Sequence, residues 1–129
     1  MLLDTSAIIE IFRNPAGSLR FEEITKKIGD EEVYVSIVQL AEISDWAFKN
    51  KVPAEERIQA VKEIARMVPL DEEICQNAAE IKQRHRKAGR NKFGIIDGII
   101  LATARSLGQH VLTLDEDFAG EKDCVIVKS

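Results

Sequence analysis

Two spacings of apolar residues recur along the chain. Short apolar runs bounded by polar or turn-forming residues are typical of strands, whereas apolar positions repeated every three or four residues indicate helices. The predicted strands are residues 1–3, 33–35, 110–113 and 124–127. The predicted helices are residues 6–13, 17–28, 37–49, 54–67, 71–87 and 95–107. Because parallel strands need helical crossovers, this alternation predicts an α/β sandwich built around a mostly parallel sheet.

The 129 residues are predicted to form a single domain, 1–129, because no repeat and no Ser/Gly/Pro-rich linker interrupts them. No apolar run reaches the roughly 18–20 residues of a membrane span, and the first residues lack the pattern of a signal peptide. We therefore expect a soluble, cytoplasmic protein with no membrane contact. A net charge of -4 excludes a nucleic-acid coat protein that binds by overall charge alone.

The chain contains two cysteines, Cys75 and Cys124. They form neither a CxxC motif nor a cluster with histidine, which excludes a thiol-redox motif and a cysteine-type zinc site. We expect both to be small buried residues in a reducing compartment.

Four carboxylates stand in apolar surroundings, whereas most of the acids lie in polar runs. Asp4 and Asp115 each follow an apolar run predicted to be a strand, so both fall at the carboxyl end of a strand. Glu42 and Asp97 lie near the starts of predicted helices. Ligands in parallel α/β sheets bind beyond the carboxyl ends of the strands. The four acids can therefore converge at one edge of the sheet.

The surroundings of Asp97 are the most informative, because the predicted helix 95–107 is apolar nearly all round and should be buried. An unpartnered ionised carboxylate there costs several kcal/mol, so we expect a compensating cation. Carboxylates with no histidine or cysteine among them suit Mg²⁺ or Mn²⁺. One or two such ions are the usual device for phosphodiester hydrolysis, so the site indicates phosphoryl chemistry.

A structural explanation of these acids, as helix caps or as ion-paired core residues, stays open. Asp4 precedes Thr5 and can cap a helix. One or two of the acids can instead pair with a basic side chain such as Arg90, Lys92 or Arg105.

The segments that carry the four acids resemble the motifs of PIN domains of the VapC toxin type. Residues 3–6, LDTS, are similar to the first-strand motif of that family, and residues 38–42, VQLAE, to its acidic helix. Residues 97–104, DGIILATA, are similar to the third motif, and residues 112–118, LTLDEDF, to the fourth. The four occur in the order of the family and span most of the chain.

This resemblance implies a three-layer α/β/α sandwich with a mostly parallel central sheet, and a metal-dependent ribonuclease. It implies the acidic quartet Asp4, Glu42, Asp97 and Asp115, with Asp4, Asp97 and Asp115 as direct ligands of Mg²⁺ (or Mn²⁺). Glu42 would bind the metal, act through a bound water or position the attacking water.

Three further residues enter through the same motifs. Ser6 and Thr113 fit roles in which their hydroxyls orient carboxylates or waters. Asp117 is a fifth acid that exchanges roles with Asp115 if the alignment shifts.

A basic segment, residues 82–92, places six lysines and arginines immediately before the helix of Asp97. An acidic chain that cuts RNA needs local positive charge, so this segment is a candidate guide for the phosphate backbone. The candidate RNA-binding residues are Arg84, Arg86, Lys87, Arg90 and Lys92. The alternative is a solvated helix end whose cations complement the helix dipole.

The leading interpretation is a metal-dependent endoribonuclease, the toxin of a toxin–antitoxin pair, with RNA as substrate, a cognate antitoxin as partner and a homodimeric state. Alternatives are a structure-specific DNA nuclease or a phosphatase using the same acids, a phospho-acceptor switch, and a catalytically inert PIN-like binding module.

Overall fold

The structure, a computed structural model, describes residues 1–128. Its strands are β1 (Leu2–Leu3), β2 (Tyr34–Ser36), β3 (Arg66–Val68), β4 (Val111–Thr113) and β5 (Cys124–Ile126). Its helices are α1 (Thr5–Arg13), α2 (Leu19–Ile28), α3 (Gln39–Lys49), α4 (Ala54–Ile64), α5 (Glu72–Lys87) and α6 (Ile95–Ser106). A short 3₁₀ helix, Glu116–Phe118, lies between β4 and β5.

Within residues 1–128 the five strands form one sheet in the order β3-β2-β1-β4-β5, and every neighbouring pair is parallel. The predicted parallel sheet is therefore confirmed. The chain adds β2 and β3 on one side of β1, then crosses through α5 and α6 to add β4 and β5 on the other side. This reversal lies between β1 and β4, which is the position where α/β sheets open a crevice for ligands.

Two separate cores lie on the two faces of the sheet, which confirms the three-layer sandwich. Leu2 points to the core that includes α5 and α6, where Ile100 and Phe93 are fully buried. Leu3 points to the opposite core, where Ile8 of α1 and Ile43 of α3 are buried. Adjacent strand residues face opposite sides, so two successive leucines supply both cores.

The predicted helix 54–67 is wrong at its carboxyl end. The helix stops at Ile64, Ala65 is extended, and the backbone N–H of Arg66 donates to the carbonyl of Val33. The following residues form the edge strand β3, which pairs with β2. The helical spacing of apolar residues continues through Met67, so only the pairing with β2 identifies the strand.

Helix α6 packs unusually closely on α5. A Cβ atom at Gly98 would clash with the backbone carbonyl oxygen of Ala78. Glycine at this position therefore allows the close approach that sets the helix carrying Asp97 against α5.

The prediction that both cysteines are buried is wrong for Cys75, which lies on the exposed face of α5. Cys124 is partly buried, and burial raises the pKa of its thiol to about 12. No helix in residues 1–128 combines the length and the apolar character needed to span a bilayer.

Candidate active site

The four carboxylates singled out by sequence come together at the edge of the sheet where β1, β2 and β4 end. Asp4 follows β1 directly, and Asp115 lies two residues after β4. Glu42 and Asp97 lie in the first turns of α3 and α6. The charges of Asp4, Asp115 and Glu42 all act on Asp97, and that of Asp115 acts on Asp4. The structure thus gathers the predicted quartet at the carboxyl ends of the strands, near the boundary between β1 and β4.

Asp4 is the most buried of the four, with 5% of its surface exposed. Thr113 Oγ1 donates to Asp4 Oδ2 at 2.6 Å, and Ser6 Oγ donates to the same oxygen at 2.8 Å. Burial raises the pKa of Asp4, and these two hydrogen bonds partly oppose the rise. Ser6 and Thr113 were expected to orient carboxylates or waters, and in the structure both hydroxyls contact the carboxylate of Asp4.

The same two hydroxyls also accept hydrogen bonds from the segment that carries Asp115. The backbone N–H of Leu114 donates to Ser6 Oγ at 3.0 Å, and that of Asp115 donates to Thr113 Oγ1 at 3.0 Å. The two hydroxyls lie 3.2 Å apart. They consequently connect the start of α1 to the end of β4 and set the spacing of Asp4 and Asp115.

Glu42 is held by a residue that the sequence analysis missed. Thr5 Oγ1 donates to Glu42 Oε1 at 2.6 Å. Burial raises the pKa of Glu42, the hydrogen bond from Thr5 lowers it in part, and the charge of Asp4 adds to the rise. The LDTS motif pointed to Ser6 but contained no sign that Thr5 reaches a carboxylate 37 positions away.

Asp97 and Asp115 are held by backbone donors. The N–H of Gly94 donates to Asp97 Oδ2 at 2.8 Å, and the N–H of Asp117 donates to Asp115 Oδ1 at 2.8 Å. The capping explanation is thus correct for the local contacts of these two acids. It fails for Asp4, whose side chain makes no capping hydrogen bond to α1.

Burial raises the pKa of Asp97 to about 6, the hydrogen bond from Gly94 opposes this, and the other three acids add to the rise. In residues 1–128, no Lys, Arg or His nitrogen lies within 4.0 Å of any of the four carboxylates. Arg105 pairs instead with Glu121 and Asp123. The ion-pair explanation therefore does not account for the quartet.

The all-oxygen donor set and its uncompensated negative charge fit a divalent cation such as Mg²⁺ or Mn²⁺. In the described residues no three acidic, histidine or cysteine side chains stand close enough to form a ready-made ligand cage. The carboxylates thus interact electrostatically without forming such a cage. A cation between them would relieve the repulsion that adds to the effect of burial on the pKa of Asp97.

Asp117 and the basic segment occupy positions beside the quartet. Arg90 Nη1 donates to the backbone carbonyls of Asp117 at 2.9 Å and Glu116 at 3.3 Å. Arg86 Nε donates to the carbonyl of Phe93 at 2.8 Å, next to Gly94. Two of the five candidate RNA-binding residues therefore brace the backbone that presents Asp115 and Asp97. The other three, Arg84, Lys87 and Lys92, are exposed.

The chain has counterparts among known proteins. Residues 1–120 match the PIN domain family, and the chain belongs to that family. A search of the curated proteins gives no significant match.

Several solved structures share the fold over almost the whole chain. A toxin–antitoxin complex from Klebsiella pneumoniae is 21% identical, with a TM-score of 0.74 and 96% of this chain and 94% of that chain covered. FitAcB from Neisseria gonorrhoeae is 27% identical, with a TM-score of 0.72 and coverage of 98% and 96%. VapC20 from Mycobacterium tuberculosis, described as a sarcin–ricin loop cleaving toxin, is 20% identical, with a TM-score of 0.73 and coverage of 99% and 98%.

Proposed function

We propose that the protein is a metal-dependent endoribonuclease that hydrolyses RNA phosphodiester bonds. The main support for the proposal is the set of four carboxylates at the carboxyl ends of the strands, none of which has a basic nitrogen within 4.0 Å in residues 1–128. A structural role would favour ion pairs for such buried acids. Membership of the PIN domain family supports the same interpretation.

Asp4, Asp97 and Asp115 would hold the Mg²⁺ or Mn²⁺ ion. When bound, such an ion acidifies the attacking water and neutralises charge that develops on the scissile phosphate. Glu42 lies beside these ligands and orients the water or accepts its proton. Asp4 is fixed for this role by the hydroxyls of Ser6 and Thr113, and outer hydrogen bonds of this kind hold ligand carboxylates in position.

Asp115, and not Asp117, is the fourth acid in this proposal. The charge of Asp115 is among the main influences on the pKa of both Asp4 and Asp97, whereas that of Asp117 is not. Asp117 supplies the backbone N–H that holds Asp115 Oδ1. Its contribution is thus to the shape of the turn.

The substrate and partner proposals draw on the structural neighbours. The description of VapC20 as a sarcin–ricin loop cleaving toxin supports RNA as the substrate. The toxin–antitoxin complex from Klebsiella pneumoniae and FitAcB support a cognate antitoxin as a partner. A single domain over residues 1–129, a homodimer and a cytoplasmic location complete the proposal.

Exposed cations of the basic segment would contact the RNA backbone. Arg84, Lys87 and Lys92 are exposed, and none of them makes a salt bridge within residues 1–128. Lys87 is the last residue of α5, and Lys92 lies within the loop that leads into α6. They are placed to attract phosphate groups near the helix that carries Asp97.

The proposal is tested by offering purified protein, in Mg²⁺, a structured RNA, a DNA of the same sequence and p-nitrophenyl phosphate. We expect cleavage of the RNA only. Cleavage of the DNA at a matching rate would indicate a general nuclease, and turnover of p-nitrophenyl phosphate alone would indicate a phosphatase. Metal binding without turnover of any of the three would indicate an inert binding module.

A further inference from the structure

Gln39 is a buried polar residue of the VQLAE segment, in which only Glu42 was predicted to be a site residue. It is the first residue of α3, its exposed fraction is 0%, and it lies three positions before Glu42. A fully buried amide is costly unless its donors and acceptor are all paired. Its partners therefore show what the residue holds in place.

The Gln39 amide connects the ends of β1 and β2. Its Oε1 accepts from the backbone N–H of Ser36 at 2.8 Å, and its Nε2 donates to the carbonyl of Leu3 at 2.7 Å. Since Ser36 N–H can only donate and the Leu3 carbonyl can only accept, these two partners fix which end of the amide is oxygen and which is nitrogen. The amide cannot flip without losing both bonds.

The second proton of Nε2 points to Thr5, whose Oγ1 lies 3.3 Å away. Gln39 is the donor in this contact, so the single proton of the Thr5 hydroxyl is available to Glu42 Oε1 at 2.6 Å. The two bonds run in one direction, from Gln39 through Thr5 to Glu42. Chains of hydrogen bonds in a buried site strengthen one another.

We propose that Gln39 and Thr5 are positioning residues that hold Glu42 Oε1 and leave Oε2 as the oxygen that acts in the reaction. This inference rests on the proposed nuclease function. A carboxylate on a rotatable glutamate side chain needs such support, because catalytic groups lose effectiveness when their geometry loosens. The Gln39 amide, fixed by two backbone groups, gives that support a rigid origin.

The decisive variants are Thr5→Val, which removes the hydroxyl at nearly constant shape, and Thr5→Ser, which keeps it. We expect Thr5→Val to lower kcat for RNA cleavage by roughly 10- to 100-fold with little change in KM, and Thr5→Ser to stay within about threefold of wild type. Thr25→Val is the matched control, because the Thr25 hydroxyl donates to the carbonyl of Phe21 in α2, outside the site. It should leave kcat unchanged.

A double-mutant cycle separates positioning from a general structural effect. If Thr5 acts through Glu42, Thr5→Val should cause no further loss of kcat in a Glu42→Ala protein. An equal loss in both backgrounds would overturn the proposal, as would wild-type kcat in Thr5→Val.

A second measurement does not depend on catalysis. In carbon-detected NMR of the protein without RNA or metal, we expect the Glu42 Cδ resonance and the Gln39 side-chain amide resonances to move in Thr5→Val and to stay in Thr5→Ser. Unmoved resonances in Thr5→Val would overturn the proposal. If the wild-type protein cleaves no RNA, the proposed function fails, while these spectra still decide whether the Gln39–Thr5–Glu42 chain exists.

Discussion

The two halves of the acidic site are held in different ways. In the first half, Asp4 and Glu42 accept hydrogen bonds from side-chain hydroxyls. In the second half, Asp97 and Asp115 accept from backbone N–H groups two or three residues away in sequence, and Arg90 braces the adjoining turn. Two of the three hydroxyl contacts in the first half join segments distant in sequence, whereas the donors to the two carboxylates of the second half lie in local turns.

The two halves should therefore respond to different kinds of substitution. The hydroxyl of Thr113 reaches Asp4 across 109 positions, so that bond exists only when the whole sheet is formed. The Gly94 to Asp97 bond is made within one helical turn and needs only the start of α6. Substitution of a hydroxyl side chain should therefore disrupt the first half. The second half should respond to removal of the charge of an acid or to loss of Arg90, because its other donors are backbone groups.

The strongest loss of activity is expected for a substitution of Asp115, and it tests whether Asp115 or Asp117 is the fourth acid of the site. Asp115→Asn keeps an acceptor for the backbone N–H of Asp117 and loses only the charge. We expect it to reduce kcat/KM for RNA cleavage by more than about 100-fold, because a ligand should cost more than an outer hydrogen bond. The matched change Asp117→Asn should cost less than about threefold. Rates in the opposite order would make Asp117 the fourth acid.

The next prediction tests whether Arg90 supports the turn that carries Asp115 or contacts RNA. Arg90→Gln removes the donor to the carbonyls of Glu116 and Asp117, so we expect kcat to fall about tenfold with a smaller change in KM. Lys87→Gln is the comparison, and we expect it to raise KM and to reduce the salt dependence of binding by about one ion. Steady-state kinetics at several KCl concentrations measure both. An Arg90→Gln protein that changes only KM and salt dependence would assign Arg90 to RNA contact.

A smaller effect concerns the stability of the metal-free protein. Burial raises the pKa of Asp97 to about 6, above its ordinary value of 3.8, so its ionised form destabilises the folded state at neutral pH. Wild-type stability in EDTA should decrease as pH rises from about 4 to about 6. Asp97→Asn should lose this part of the pH dependence and should be more stable at pH 7 by about 1 kcal/mol, allowing for solvent screening.

Urea unfolding of both proteins in EDTA, followed by circular dichroism across this pH range, is the measurement. A variant that is less stable than wild type at pH 7 would show that the Asp97 charge is compensated in the folded protein.

The smallest expected effect is on stability and concerns Glu121. Glu121 accepts from Arg105 Nη2 at 2.6 Å, and its other oxygen lies 2.8 Å from His85 Nε2. Burial raises the pKa of Glu121, but the hydrogen bonds from Arg105 and His85 outweigh it, so the pKa lies below its ordinary value. This stabilisation is present above about pH 4.5 and is lost as pH falls through the lowered pKa.

Glu121→Gln should therefore be less stable than wild type by about 0.5 kcal/mol at pH 7, and the difference should shrink near pH 3. Thermal unfolding of the two proteins at both pH values measures this. An equal difference at pH 7 and pH 3 would mean that packing, and not charge, accounts for the loss.

The convergence of the acids could be predicted because the pattern of apolar residues that marks them is local in the sequence. Each of Asp4 and Asp115 follows an apolar run, and Asp97 interrupts one, so the strand ends and the buried helix mark them directly. The parallel sheet followed from the same alternation of runs.

The supporting contacts were beyond the reach of local patterns. Gln39 and Thr5 are ordinary polar residues near helix starts, and only the paired β1 and β2 strands bring them together. Strand β3 was missed for the same reason, since its identity lies in pairing with β2. In the basic segment the sequence displayed the charges of Arg86 and Arg90 but not the carbonyls that they contact.

Whether the protein is a metal-dependent nuclease is tested most directly by cleavage of a mixed structured RNA. Wild type and Asp97→Asn are each assayed with Mg²⁺, with Mn²⁺ and with EDTA. Circular dichroism of both proteins would first establish that they are folded. We expect cleavage by wild type that requires the metal and disappears in Asp97→Asn. Cleavage that persists in EDTA, or equal cleavage by the folded Asp97→Asn protein, would contradict a metal-dependent nuclease built on these acids.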